Sequence, residues 1–469
     1  MTIELSSITF TDQDDIVPES GEEDILNTGI ANTLAGNDTI TGMGPYDNDN
    51  PSSGYGIYNT GTLNTAEGKD IITGTGEEVG IYNTDTFNTG EGKDIITGGN
   101  EGPYASGIVN TGTFNTAEGD DIITGNGGRY GGAIVNTGTF NTGAGDDIIS
   151  AWGVNGGFSN SGTFNTADGN DVITGSGAKS DGISIAKGSI LDTGNGNDSI
   201  SGGGLYTGIS NGSLTFNTGD GNDTIDGGGS LTGISNTGSI NTGNGKDTIL
   251  AEGGTINFYG YGVGSGLSNF STIDTGNGED IINATGGIKN NGTIDTGDND
   301  DIITASRPFS DDGEGTSGID NKGTINTGNG NDSIIAEGLI TSIDGTINTG
   351  NGKDTITSSN GIENHGKINT GNGADFIIAN GGFSGMGNVF LENGKDYLNG
   401  FGTGNFNGGN NEDTLELPSG SYTVGISGTT MSFTKSGVIM YTSEFEKLIA
   451  GSTTYDFISL TDGQTIVVA

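Results

Sequence analysis

Cysteine is absent from the 469-residue chain, so no disulfide can staple it, and the compartment is left open. Basic residues are scarce: 14 Lys and Arg and one His stand against 60 Asp and Glu, a formal charge of -46. Such a charge disfavours nucleic acid and anionic membranes as partners and makes cations the natural ones. Apolar residues are only 29% of the chain, too few for one thick core, so the chain is either disordered or built from thin repeated layers. No apolar run approaches the roughly 18 residues of a membrane span. The N-terminus, MTIELSSITFTDQDD, lacks the basic and apolar segments of a cleaved leader, so export is expected to use another signal.

Glycine is what the chain has instead, with 95 residues. From about residue 55 to 380, units of roughly 21 to 33 residues repeat G-I-x-N-x-G-T-(F/I)-N-T-G-x-G-x-D-x-I-x-G, followed by a variable loop. Successive copies are marked by Asp38, Asp70, Asp94, Asp121, Asp147, Asp171, Asp198, Asp223, Asp247, Asp280, Asp301, Asp332, Asp354, Asp375 and Asp396. Each unit holds three apolar anchors, such as Ile108, Phe114 and Ile123, separated by Gly and Asn. Three short β-branched or aromatic segments with turn residues between them predict three strands and three corners of one coil. Helical periodicity is missing, and glycine at this density destabilises helices by about 1 kcal/mol per residue.

The fold class expected is therefore all-β, a right-handed parallel β-helix of roughly fifteen coils spaced about 4.8 Å apart, on the order of 70 Å long. Like residues recur where stacking would place them over one another. The second anchor is mostly Phe as far as Phe216 and Ile from Ile240 onward, and Asn59, Asn83, Asn110, Asn136, Asn160, Asn211, Asn236, Asn269, Asn290, Asn321 and Asn364 form a column of amides able to bond from coil to coil.

Stacking also puts like carboxylates about 5 Å apart, where each pair repels by about 0.8 kcal/mol in water and about 3 kcal/mol at an effective dielectric of 20. Over a dozen pairs this reaches roughly 10 to 40 kcal/mol, against a typical net stability of about 5 to 15 kcal/mol. Something cationic is required in the file. Calcium suits it, because it takes six to eight hard oxygens and a glycine-rich turn exposes carbonyls. Further acids at the third and fifth turn positions, including Glu67, Glu91, Glu118, Asp120, Asp146, Asp168, Asp220 and Asp300, add to the negative charge, while Lys69, Lys93, Lys246 and Lys353 offset it. The competing reading is that each aspartate only closes an Asx turn on its own backbone.

The segment TGNGKDTIL, Thr242 to Leu250, resembles the nonapeptide of the RTX, or haemolysin-type, calcium-binding family. The resemblance implies calcium held between stacked turns by carbonyls and by the fifteen aspartates named above, with Gly243, Gly245 and their equivalents permitting the turn. Two departures stand out: the first glycine is usually Thr and the second is Ala at Ala66, Ala117 and Ala167, and each long coil carries one nonapeptide. The ions are thus expected in a single file along one corner. The family also implies an extracellular or cell-surface location, passage through a type I secretion apparatus, and folding when calcium is met outside. The tail DGQTIVVA is similar to the uncleaved C-terminal signals of such substrates.

Three segments are expected: an N-terminal cap over 1–30, the repeat solenoid over 31–413, and a β-rich C-terminal cap over 414–469 carrying that signal, with Asp413 a last irregular copy. Caps are needed because terminal coils expose unpaired strand edges. Catalysis is not expected. The one histidine, His365, occupies a turn slot filled elsewhere by Thr60 or Thr111, and the two arginines, Arg129 and Arg307, lie far apart. Trp152, Tyr104, Tyr130, Tyr206 and Tyr259 fall in loops after the third strand and offer a contact surface for a partner or polysaccharide. The function expected is a structural or adhesive component of the cell surface or matrix, with end-to-end self-association as one mode. The alternatives are a polysaccharide lyase or epimerase and an ice-binding protein using repeated Thr columns, against which the uneven loops speak.

Overall fold

The strands of one coil find their hydrogen-bond partners in the coils before and after it, as Thr113–Asn115 does in Thr86–Asn88 and Thr139–Asn141. The computed structural model describes residues 2–18, 23–45, 54–254, 264–306 and 317–469. It divides into two compact units, residues 1–244 with 250–264, and 245–249 with 265–469. Each is a parallel β-solenoid, and among the described residues the only helical elements are two short 3-10 turns, Leu5–Ser7 and Phe457–Ser459. Within a coil the three anchors seed three strands, which stack into sheets 1, 2 and 3 in chain order. One coil of the first unit runs Ser106–Asn110 in sheet 1, Thr113–Asn115 in sheet 2 and Ile122–Asn126 in sheet 3.

Alternation decides what is inside. In sheet 2, Phe114 is fully buried while Thr113 and Asn115 face out; in sheet 3, Ile123 is buried beside outward Ile122 and Thr124. Register is residue on residue: Phe87 pairs with Phe114 and Phe114 with Phe140. The expected aromatic column therefore exists, with Phe87, Phe114, Phe140 and Phe164 stacked ring on ring at centroid separations of 4.4, 4.4 and 4.9 Å. The amide column exists too. The Asn27, Asn59, Asn83 and Asn110 side chains each donate to the Oδ1 of the next coil's Asn at 2.8 Å, or 2.9 Å in the last step, to Asn136.

The described strands before residue 30 are themselves coil. Thr2–Glu4 pairs with Asp24–Asn27 in sheet 1, and Ile16–Val17 with Thr39–Gly44 in sheet 3. At the other end of the chain, Thr414–Leu417 is still a sheet 3 strand, paired with Tyr397–Asn399. Beyond it the chain turns antiparallel: Gly420–Ser427, Thr430–Lys435 and Val438–Ser443 form a meander, and Thr465–Val468 pairs with the first of these. The same meander rejoins the solenoid, since Val438–Ser443 lies parallel to Gly404–Asn407 and Lys447–Ala450 parallel to Thr414–Leu417.

Coil length varies mostly at the corner between sheets 3 and 1, and by a residue or two at the corner between sheets 1 and 2, where residues 186–189, 212–214 and 343–345 replace the usual pair. The aspartates of neighbouring coils are separated by 17 residues at the shortest, Asp396 to Asp413, and by 33 at the longest, Asp247 to Asp280, yet their linking hydrogen bonds are 2.9 and 2.8 Å. Loop residues take up the difference, and the corner between sheets 2 and 3 is untouched by it.

Candidate functional site

That constant corner is the T-G-x-G-x-D turn. Its second residue has a left-handed backbone, and Ala66, Ala117 and Ala167 accept φ values of 64°, 63° and 62° there, at a cost of about 1 to 2 kcal/mol each. The fourth residue is tighter: a Cβ on Gly92 would lie 1.5 Å from the Gly68 carbonyl oxygen of the preceding coil, and where the glycine is replaced, at Asn299 and Asn411, the backbone shifts to a φ of 95°. Turns therefore stack almost in contact, and the Gly92 N–H donates to the Glu118 carbonyl at 2.8 Å.

All fifteen marker aspartates point into this stack and are buried, none exposed by more than 2%. They do not close Asx turns on their own backbone. Within each unit the Oδ1 instead accepts the N–H of the aspartate one coil earlier. In the first unit the ladder runs from the Asp15 N–H through Asp38, Asp70, Asp94, Asp121, Asp147, Asp171 and Asp198 to Asp223, at 2.8 to 2.9 Å. In the second it runs from Asp247 through Asp280, Asp301, Asp332, Asp354, Asp375 and Asp396 to Asp413, over the same range. The Asp413 N–H ends it on Glu446 Oε2 at 2.8 Å. Sequence reading missed Asp15 and Glu446. The signal available was an acid directly before a strand, in DDIV and FEKLI, without the glycines that mark the other turns.

The second carboxylate oxygen is the unusual one. Oδ2 of Asp38, Asp70, Asp94, Asp121 and Asp171 in the first unit, and of Asp280, Asp301, Asp332, Asp354, Asp375, Asp396 and Asp413 in the second, is buried with no hydrogen-bond partner. In two coils the turn threonine supplies one: Thr142 donates to Asp147 Oδ2, and Thr193 to Asp198 Oδ2 at 2.5 Å. Elsewhere, as at Thr65, the hydroxyl lies beside the carboxylate and lowers its pKa, but its proton goes to the next coil's Thr89 carbonyl at 2.9 Å. Burial outweighs these donors. It pushes Asp70 and Asp121 up to about 7 and Asp171 to about 8, against about 6 for Asp147 and Asp198.

A column of buried oxygens lacking donors fits a hard cation in chemical type. The fit is shared between coils, since among the described residues no three acidic or His side chains converge on a point. Any ion there must take its remaining oxygens from threonine hydroxyls and turn carbonyls. Two outer acids of the turn are engaged elsewhere: Asp168 Oδ1 accepts both the N–H and the side-chain amide of Asn195, at 3.1 and 2.8 Å, and Asp146 Oδ1 does the same for Asn170, at 2.8 and 2.9 Å.

A second regular feature lies on the outside of sheet 2. The pairs Thr62/Asn64, Thr86/Asn88, Thr113/Asn115, Thr139/Asn141 and Thr163/Asn165 stand in register and line an open trough of about 690 Å³. The Asn side chains are locked to one another, Nδ2 to Oδ1, at 2.6, 2.7, 2.8 and 3.1 Å down the column. The hydroxyls of Thr62, Thr113, Thr139 and Thr163 have no protein partner and are left to solvent.

Of the other residues singled out, His365 is an exposed turn residue with Nε2 3.3 Å from Glu363 Oε1. Tyr104 and Tyr130 do meet, stacked at 4.9 Å with the Arg129 guanidinium 5.3 Å from the Tyr130 centroid. Trp152 is not in a loop but in the sheet 3 strand Ile148–Gly153, because the strand continues two residues past its last anchor-spaced position. Tyr206 sits in the turn between strands ending at Gly204 and starting at Thr207. Tyr259 and Arg307 lie outside the described residues.

No protein-family model matches the chain, and no curated protein does. Among solved structures, a hyperactive, Ca2+-dependent, β-helical antifreeze protein from an Antarctic bacterium is similar, with a TM-score of 0.41 and 17% identity over 83% of this chain and 96% of that one. No helix of the described residues is long and apolar enough to cross a membrane.

Proposed function

We propose that this chain is an extracellular, calcium-stabilised solenoid of RTX type that adheres to ice through the Thr/Asn face of sheet 2. The observation that carries the reading is the combination of register, rigidity and free hydroxyls on that face. Coils about 4.8 Å apart repeat one Thr and one Asn each, the Asn amides hold one another in place, and the Thr hydroxyls and methyls face water. Such an array can fix first-layer water at lattice-like intervals without ordering side chains on contact, since first-shell water bonded to protein is enthalpically close to a direct hydrogen bond. In these five coils the uneven loops do not disturb it, because they lie at the corner between sheets 3 and 1 and the corner between sheets 1 and 2 keeps two residues throughout. A crystalline polysaccharide is the less suited target, as this face carries no ring for a sugar to stack upon.

Calcium enters as the counter-charge of the aspartate ladder. The residues that would hold it are the fifteen marker aspartates, and its contribution is neutralisation of a buried carboxylate file. Export by a type I apparatus and folding outside follow from the RTX likeness, and catalysis forms no part of the reading.

The test is thermal hysteresis and ice-crystal shaping by the full chain in calcium, alongside Thr113→Tyr/Thr139→Tyr and alongside wild type in EDTA. Activity is expected in calcium, with loss in the double variant at unchanged circular dichroism. In EDTA the activity and the β-signal are expected to disappear together. Wild type without hysteresis in calcium would sink the ice reading; a fully folded, heat-stable chain in EDTA would sink the calcium clause.

A further inference from the structure

The five coils that carry the Thr/Asn face carry a second array across the aspartate turn. On sheet 3 the first outward column is Ile71, Ile95, Ile122, Ile148 and Val172, and the second is Thr73, Thr97, Thr124, Ser150 and Thr174, all in strict register. Ile71, Ile95, Ile148 and Val172 are 43, 37, 41 and 36% exposed. Their neighbours Ile72, Ile96, Ile149 and Ile173 are fully buried, so the exposed column is no overflow of the core. In the next coils the position turns polar, Ser199 and Thr224, and isoleucine returns at Ile281 and Ile302 of the second unit, beside Asn283 and Thr304.

Resting on the reading above, we infer that this Ile/Thr array of sheet 3 is a second ice-contacting face, acting with the Thr/Asn face of the same coils. Three features point to solid water as the occupant. The two columns contain no charged residue in these coils, in a chain of net charge -46, so a second copy is repelled by the remainder of the molecule and a charged partner finds no complement. The columns repeat at the strand spacing with one aliphatic and one hydroxyl per coil, which suits a periodic surface; an irregular protein surface has no use for such periodicity. The chemistry is also suitable, since exposed methyl rows order the water next to them and a hydroxyl in every coil ties that layer to the backbone lattice.

The experiment uses the full chain in calcium, with Ile95→Lys/Ile122→Lys on sheet 3 compared with Thr113→Tyr/Thr139→Tyr on sheet 2. Fluorescently labelled proteins are adsorbed to a single ice crystal, and thermal hysteresis is measured in parallel. All four positions point outward, and circular dichroism checks the fold; Thr97→Tyr/Thr124→Tyr serves as a second sheet 3 variant should the lysines disturb it. The sheet 3 variants are expected to lose most of the hysteresis and to label fewer ice planes than wild type. Wild-type hysteresis and an unchanged plane pattern in the sheet 3 variants, with loss confined to the sheet 2 variant, would overturn the inference and leave the first reading standing. Absence of hysteresis in wild type would remove both. A wild-type dimer in sedimentation that becomes monomeric in the sheet 3 variants, or wild-type retention on insoluble chitin or cellulose that those variants lose, would also overturn it by naming another occupant.

Discussion

Between Thr62 and Asn165 every outward residue of the sheet 2 strands is Thr or Asn, whereas between Thr272 and Asn407 the same positions include Asp274, Asp295, Lys367 and Phe390. The second unit also sets Lys367 Nζ 5.2 Å from the Phe390 centroid and Lys353 Nζ 5.0 Å from that of Phe376, whereas in the first stretch the cation over a ring, Arg129 on Tyr130, lies in a loop after sheet 3. Inside, the two are nearly alike: an unbroken aspartate ladder, a threonine at the head of most turns, and one anchor per sheet. The interior is fixed by stacking, which tolerates little. The outside is not, so uniformity there needs a cause other than folding, and the coils that have it are the ones in which a function is sought.

That contrast can be attacked from the interior outward. The largest effect expected is on both ladders at once. Burial raises Asp70 and Asp121 to about 7 and Asp171 to about 8 in the first unit, and Asp301 and Asp396 to about 7 in the second, from an unfolded value of about 3.9. A raised native pKa means that the folded chain binds more protons, so without cations its stability is greatest below about pH 4 and falls as pH climbs through 6 to 8. Melting curves in EDTA across that range should show the fall, and saturating calcium should flatten it; a flat profile in EDTA would mean that the ladders need no neutralisation.

Next in size is the core. Phe114→Ala empties a place in a ring stack and should cost about 3 to 5 kcal/mol. Ile294→Ala, at the corresponding position over Ile273 and under Ile325, should cost about 1 kcal/mol less, because stacked rings contribute about 0.5 to 1.5 kcal/mol beyond the area they bury. Equal costs in denaturant titrations would show that the aromatic column gives the first unit no special rigidity.

The smallest effect separates the two oxygens of one ladder residue. Asp121→Ala leaves the buried Asp94 N–H without an acceptor and should cost about 1 to 3 kcal/mol. Asp121→Asn keeps the acceptor and removes a charge, so at pH 8 in EDTA it should match or exceed wild type, and in calcium fall below it. Thermal melts of the two variants in both buffers decide this; an asparagine variant as damaged as the alanine one in EDTA would place the support in the charge.

The coil, its three anchors, the amide and phenyl columns and the acid at every turn were legible because each is a periodic signal in residue type. What was hidden lies in direction and in ends. Nothing in a string of letters says that Asp94 accepts from Asp70 rather than closing its own turn, because both geometries favour aspartate beside glycine. Asp15 and Glu446 escaped notice because a terminal coil has no need of the turn glycines that identify the others. The outer acids Asp146 and Asp168 counted only as added negative charge, whereas stacking gives each an asparagine to hold. The outward isoleucines of sheet 3 went unremarked, although taking Ile123 as the anchor already places Ile122 on the opposite face of the strand.

The corner between sheets 3 and 1 has a practical side. Because coils of such different length close on the same bonds, that seam accepts added chain without altering either flat face or the carboxylate file on the opposite edge. A tag, a linker or a whole foreign domain placed there, for instance between Gly153 and Phe158, should ride along the molecule as a passenger. Lengthening the working surfaces calls for the opposite operation, the duplication of whole coils.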